Sequence, residues 1–430
     1  MIDEMRERRN MSEQLGTRKR IIFYIAMVCL TLSVFVFALE FIVARFYYSN
    51  VYLVSDTVFD PVVGWRLRPG LYWAKAPNRF SKHRLRINKH GLRNGDIGVA
   101  PGGETRRIVI LGDSFTYGKA VREEHLFTRR IERSLNGAAA GPRYEIINAG
   151  VPGYGNAQEL LLMRQLAAEG VTGDCYLLIM FPNDILDNLR LLYSNLAENP
   201  LQPGLAVGED GSLVLAHPPE KLFGDESENF VEAAESLDRM KIDKVLRLRV
   251  ESFLQTKPHL IRTLARIGIH VKFPGMPGLM NAWYHDDVIA RGVPLMKRIL
   301  LAMREEARER GAPFLVGLVP SQIQVYPDTY GALLKETFPD CGLVDRWMDD
   351  PRRPQRIVGS ICEELGIPFM DLLPALSEHT VRALYIPREG HFSEEGHMLV
   401  ARAIEPFLMD HTNDGTSVRT ARNGNGGDRP

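Results

Sequence analysis

The chain has 430 residues, 45% hydrophobic and 25% charged, so it can bury a full core and is long for one domain but short for three. Its 53 Lys and Arg match 53 Asp and Glu, and no global charge points to nucleic acid or to an acidic partner. The four cysteines, Cys29, Cys175, Cys341 and Cys362, lie far apart with no CxxC pair, which argues against zinc and thiol-redox motifs and leaves a Cys341–Cys362 disulfide open. No segment repeats at solenoid-like spacing.

The first predicted element is Ile21 to Leu39, nineteen residues without a charge, continued past Glu40 to Ala44. A helix needs roughly 20 apolar residues to cross a bilayer core. The run is apolar on every face, which argues against a buried core helix. It also exceeds a signal-peptide core and is followed by no A-x-A site, so an uncleaved anchor over 21–44 is expected. Arg6, Arg8, Arg9, Arg18, Lys19 and Arg20 precede it, whereas Arg45 is the only base in the twenty residues that follow Ala44. The expected orientation keeps residues 1–20 cytoplasmic and exports everything after the anchor.

Residues 45–105 read as a loop-rich, basic segment: between Pro61 and Arg93 there are nine Lys or Arg and no acid. Such a stretch either holds an anionic glycan or lipid headgroups, or forms a solvated basic surface beside the main domain.

From Arg106 the pattern alternates strand and helix. Arg107–Leu111, Tyr144–Asn148, Cys175–Phe181, Phe314–Val319 and Ile367–Asp371 are short apolar runs of the kind buried in parallel sheets. Amphipathic stretches at 122–136, 157–169, 294–310, 354–366 and 394–409 fall between and after them. This order predicts a βαβ architecture with right-handed crossovers over 106–411. A break at about 197–290 reads as an insertion, with one or two amphipathic helices between Val231 and Ile269. The tail, 412–430, has almost no apolar residues and is expected to be disordered.

Chemistry-bearing residues recur where strands stop. The first strand runs into "ILGDSFTYG", placing Ser114 three residues beyond Leu111, with Asp113 able to bond local backbone. By itself this pattern is also an ordinary helix N-cap. After the second strand comes "NAGVPGYG", where Gly153 can bring its N–H close to a ligand. After the third comes "FPND", with the Asn183 amide, and near the end comes "PREGHFSEEGH", with His391 in a loop before a helix. These are the parts of an acyl-transfer site: a hydroxyl nucleophile, an imidazole to take its proton, and donors for an oxyanion. Asp184 and Asp187 are expected to bond backbone nearby, and His397 to be a packed or capping histidine. His83, His90 and His125 are scattered and no H-E-x-x-H occurs, so no metal is expected. The absence of GxGxxG and P-loop patterns argues against a nucleotide cofactor.

The ordered set GDSFTYG, NAGVPGYG, FPND and EGHFSEEGH resembles the SGNH (GDSL-type) hydrolase family over about 106–200 and 291–410. "FMDLLPAL" at 369–376 is similar to the stretch before that family's catalytic histidine loop. The anchor together with "GW…INKHGLRN" looks like membrane-anchored bacterial members associated with exported polysaccharides. The resemblance implies a flavodoxin-like three-layer α/β/α sandwich with a mainly parallel sheet. It also implies Ser114 as nucleophile, Ser114, Gly153 and Asn183 as oxyanion hole, and His391 as general base. The family's acid, an Asp two or three residues before the His, is missing: position 388 is Arg, and the nearest acid is Glu389. Either Glu389 is the third member or a Ser–His dyad operates.

The implied activity is a membrane-anchored serine esterase acting on ester-linked acyl groups, chiefly O-acetyl, of extracytoplasmic glycans or lipids. Two alternatives stand beside it. One is an O-acyltransferase on exported polysaccharide, supplied by a membrane acyl-donor protein. The other is a non-catalytic, anchored glycan-binding or assembly protein whose site has decayed.

Overall fold

The computed structural model describes residues 19–21, 23–36, 38, 57–75, 82–98, 105–119, 121–137, 141–191, 199–219, 282–327, 342–379, 384–386 and 390–413. The chain divides into two units, one formed by residues 1–53 and 233–250 and the other by the remainder. In the first, helix α1 (Lys19–Val36) has a mean hydropathy of 1.9 and no buried residue. By length and composition it suffices to cross a membrane or to serve as a signal sequence.

The second unit is organised by a five-stranded sheet. Its strands are β5 (Arg106–Gly112), β6 (Tyr144–Gly150), β7 (Cys175–Met180), β10 (Phe314–Leu318) and β11 (Phe369–Asp371), in the order β11-β10-β7-β5-β6. Every pairing is parallel. In sequence order of these strands this is 2-1-3-4-5, the flavodoxin-like arrangement, whose direction of winding reverses between β5 and β7.

Side-chain alternation along the strands builds two cores. Val109, Leu111, Leu178, Met180, Val316 and Leu318 enter one cluster, whereas Ile108, Ile110, Leu177, Ile179 and Leu315 enter the other. The first cluster is covered by α4 (Asn156–Ala168), α6 (Asp286–Glu309) and α7 (Arg353–Leu365), the second by α3 (Phe127–Leu135) and α8 (Glu394–Asn413). Strands buried on both faces must be largely apolar, and this is why β5, β6, β7 and β10 were legible as continuous runs. Fully burying one such Leu or Ile contributes about 1.5–3 kcal/mol, so the two clusters dominate the favourable side of folding.

The helices depart from expectation mainly at their starts. α3 begins at Phe127, after a 3₁₀ turn at Glu123–His125. α6 begins at Asp286 rather than near Pro294, with that proline inside the helix. The inserted region opens with an unanticipated antiparallel hairpin, β8 (Gly204–Val207) and β9 (Leu213–His217). The helices expected within 231–269 and the tail beyond Asn413 lie outside the described residues. Cys362 is a free, buried thiol, as is Cys175, and burial pushes both up to about 12. Cys341 lies outside the described residues.

The largest correction concerns the basic segment. It contains two antiparallel hairpins, β1 (Thr57–Asp60) with β2 (Gly64–Leu67) and β3 (Gly70–Lys75) with β4 (Lys82–Ile87). In β4 the charges hide a period of two: Arg84 and Arg86 are exposed, while Leu85 and Ile87 are buried in the first core. Nor is the whole segment a solvated surface. Arg93, 1% exposed, donates from Nη1 to Tyr117 O (2.8 Å) and Gly118 O (2.6 Å), and from Nη2 to Val121 O (2.6 Å). It thereby holds the turn that follows Ser114.

Arg93→Met should remove these charge-assisted bonds and leave buried carbonyls unsatisfied, costing about 3 kcal/mol in urea denaturation, whereas exposed Arg86→Met should stay within about 0.5 kcal/mol. Equal effects of the two substitutions would contradict a buttressing role for Arg93.

Candidate active site

The site forms at the carboxyl ends of β5, β6 and β7, where the register aligns Gly112 with Gly150 on one side and with Ile179 on the other. The three following loops therefore leave the sheet at one level, in the crevice where the winding reverses. Two glycines make the exit possible. A β-carbon on Gly112 would lie 2.2 Å from Thr116 Oγ1 and 2.8 Å from Ile179 O, and one on Gly150 would lie 2.2 Å from Tyr117 N. Only hydrogen at these positions lets helix α2 (Ser114–Tyr117) pack down onto the strand ends.

Asp113 caps α2: its Oδ1 accepts from Phe115 N at 2.8 Å, the local backbone bond expected from the sequence. Asn148 pins the same helix from β6, donating from Nδ2 to Thr116 O at 2.8 Å and accepting from Gly150 N at 3.0 Å. Asn94 ties the basic segment to this strand, donating to Asn148 O at 2.8 Å.

Ser114 and His391 come from positions 277 apart and meet in space: Ser114 Oγ lies 2.8 Å from His391 Nε2. The imidazole stands 5.1 Å from the Phe115 ring, which packs against Phe181 at 4.3 Å and Phe392 at 4.9 Å. Its backbone is fixed where Ile386 N donates to His391 O at 2.7 Å and Tyr385 bridges to Phe392. Glu389 lies outside the described residues.

Gly153 occupies the turn after β6 with φ +80°, the left-handed region that favours glycine. Trp65 of β2 flanks that turn, its indole donating to Pro152 O at 3.1 Å, and the Tyr154 hydroxyl donates back to Trp65 O. Neither Trp65 nor Arg93 was singled out from the sequence, because each touches the loops from far away in the chain. Asn183, 8% exposed, precedes the short helix α5 (Asp184–Asn188). Its Nδ2 donates to Asp187 Oδ2 at 2.8 Å.

Beneath the loops lies a feature that sequence reading missed, a cluster of carboxyls 5% exposed or less: Asp113, Glu159, Asp184 and Asp187. Side-chain amides donate to three of them. Asn156 Nδ2 donates to Glu159 Oε2 (3.0 Å) and Asp184 Oδ2 (2.9 Å), and Gln202 Nε2 donates to Asp187 Oδ1 (2.8 Å). Asp184 accepts from Phe181 N at 3.2 Å, a backbone bond as expected, and Asp187 accepts from the Asn183 and Gln202 side chains. Burial raises Asp113 from 3.8 to about 7, and burial with mutual repulsion raises Glu159 and Asp184 well above the carboxylate range.

His397 is a packed histidine: it is 1% exposed, stacks on Phe127, accepts from Phe127 N at 3.3 Å and is pushed down by burial to about 3. Among the described residues no group of three His, Cys, Asp or Glu is arranged to hold a metal ion.

No protein-family model matches the chain, and no curated protein matches its sequence. Solved structures are similar to it at low identity. TesA is 11% identical over 70% of this chain and 98% of that one, with a TM-score of 0.35. A member of the lipolytic G-D-S-L family from Veillonella parvula is 13% identical over 69% and 94%, with a TM-score of 0.33. A catalytic mutant of an acetylxylan esterase from Geobacillus stearothermophilus is 16% identical over 71% and 93%, also with a TM-score of 0.33. Likenesses this distant assign the chain neither a substrate nor residue roles.

The raised carboxyls give a pH prediction. A carboxyl that holds its proton more tightly when folded favours folding at low pH, and that contribution is lost as pH rises from the unfolded value near 3.8 through about 7. Glu159→Gln, which removes one member, should flatten the loss of thermal stability across this window and raise Tm at neutral pH by at least ~2–4 °C. A melting profile against pH that matches the parent's would contradict shared protonation of the cluster.

Proposed function

We propose that this chain is a serine esterase of the SGNH type, anchored by α1, that removes O-acyl groups from extracytoplasmic glycans through an acyl-enzyme. The observation that carries the reading is the 2.8 Å contact between Ser114 Oγ and His391 Nε2 at the switch point of the sheet. A serine hydroxyl is unreactive until a base takes its proton, and His391 is in reach to do so.

In this reading Ser114 Oγ attacks the ester carbonyl carbon while its proton passes to His391 Nε2. The carbonyl π pair moves onto oxygen, and the resulting oxyanion is met by the N–H groups of Ser114 and Gly153 and by the Asn183 amide. Collapse of the tetrahedral species breaks the bond to the alkoxy oxygen, which leaves with the proton held on His391. Water then attacks the acyl-serine with the same imidazole as base, releasing the carboxylic acid and restoring the hydroxyl. Each oxyanion donor supplies roughly 2.7–4 kcal/mol of transition-state stabilisation, so loss of the Asn183 amide should cost about a hundred- to thousandfold in kcat. Glu389, two residues before His391, is the proposed acid that orients the imidazole and stabilises its charged form.

The anchor and the charge asymmetry around it support an exported site. The motif resemblance to anchored members associated with exported polysaccharides favours acetylated glycans.

Full-length protein in detergent should release acetate from acetylated xylan and hydrolyse 4-nitrophenyl acetate, with Ser114→Ala losing about four to six orders of magnitude in kcat. Acetyl transfer to an added sugar in place of hydrolysis would identify a transferase, and binding of the glycan without release would identify an assembly protein. Glu389→Gln should lower kcat by about three to four orders of magnitude with KM little changed, and unaltered turnover would leave a Ser–His dyad.

A further inference from the structure

An oxyanion donor works only if its N–H is aimed before the charge develops, and Asn183 needs a device that fixes which end of its amide faces the crevice. The geometry points to Gln202, from the inserted segment, as the positioning residue that holds the Asn183 donor by way of Asp187. The inference rests on the esterase reading and assigns to that site a residue from outside its sequence motifs.

Asp187 Oδ2 accepts from Asn183 Nδ2 at 2.8 Å, while Asp187 Oδ1 accepts from Gln202 Nε2 at 2.8 Å. With both oxygens accepting from amide N–H groups the Asp187 carboxyl cannot rotate, and in its ionised form it presents only acceptor atoms to Asn183. The amide nitrogen must therefore face the carboxylate, because turning the amide over would set its oxygen against Asp187 Oδ2. The same Gln202 nitrogen lies 3.4 Å from Gly153 O, at the loop of the second proposed donor. One buried amide thus bears on both donor loops.

Gln202 is itself held rigidly. It is 2% exposed, and Arg190 donates from Nε to Gln202 O at 2.8 Å. Arg190 has φ +58°, the one positive value for a non-glycine among the described residues. Asn199 N donates to Arg190 O at 2.7 Å and Gln202 N donates to Asn199 O at 3.2 Å, closing the segment on itself. On the other side Leu201 O packs against Gly64 so tightly that a β-carbon there would lie 2.3 Å away. Strain of this kind persists where the surroundings over-determine the backbone, and here it keeps Gln202 on Asp187.

The test uses the full-length protein and three measurements. Gln202→Met keeps the reach of the side chain and removes its donors. It should lower kcat on 4-nitrophenyl acetate about 10–100-fold, leave KM within about twofold, and weaken binding of a trifluoromethyl ketone by the same factor as kcat. Asp187→Asn should produce the same pattern. The double variant should be no worse than the poorer single one, since both act through Asn183. If Gln202→Met does not fold, Gln202→Asn, which withdraws the amide by one methylene, reads the same loss. Unchanged kcat, a rise in KM alone, or multiplicative effects in the double variant would overturn the assignment while fluorophosphonate still labels Ser114 in the parent. A parent protein that fluorophosphonate does not label would overturn the esterase reading itself, and this inference with it.

Discussion

The pairing of β5 between β6 and β7 is the constraint from which the site follows. With Gly112 opposite both Gly150 and Ile179, three chain segments end at one height, and each then releases a functional side chain or N–H into the same crevice. A slip of one residue would exchange the two core faces, moving Val109 and Leu111 to where Ile108 and Ile110 now pack. Burial of both faces therefore fixes the register that brings Ser114, Gly153 and Asn183 to one end of the sheet, and the loop before α8 adds His391 from the far end of the chain.

The crevice is built at some expense of stability. Carboxyls packed under the loops cost free energy unless they keep protons or find donors, and burial pushes Asp113 up to about 7. The amides of Asn156, Asn183 and Gln202 offset part of this cost by donating to them. Such a network stays rigid only while it is satisfied, and rigidity is what an oxyanion site requires. The basic segment contributes to the same end: Arg93 holds the turn after Ser114, Trp65 flanks the turn at Gly153, and Asn94 bonds β6.

Much of this was legible in the residues. The strands were visible because parallel strands buried on both faces read as unbroken apolar runs, as in Cys175–Met180. Ser114 and His391 were visible because each follows or precedes an element end within a recognisable motif. The roles of Arg93, Trp65 and Gln202 were not, since each depends on contacts between distant positions, such as the 87 residues that separate Trp65 from Pro152. The first two turns of α6 were not legible, and the helix runs from Asp286 with Pro294 inside it. The hairpins of 57–87 were hidden because Arg84 and Arg86 interrupt the apolar signal that Leu85 and Ile87 carry.

The most direct test of the central claim is the rate at which a fluorophosphonate modifies Ser114 in the full-length protein, followed by intact mass across pH, with His391→Ala alongside. An activated pair predicts a single adduct on Ser114, a rate that falls at acid pH as the imidazole takes a proton, and a loss of at least about a hundredfold in the variant. A rate indifferent to both pH and His391 would mean that the 2.8 Å contact activates nothing, and the site would have to be read as a binding cleft.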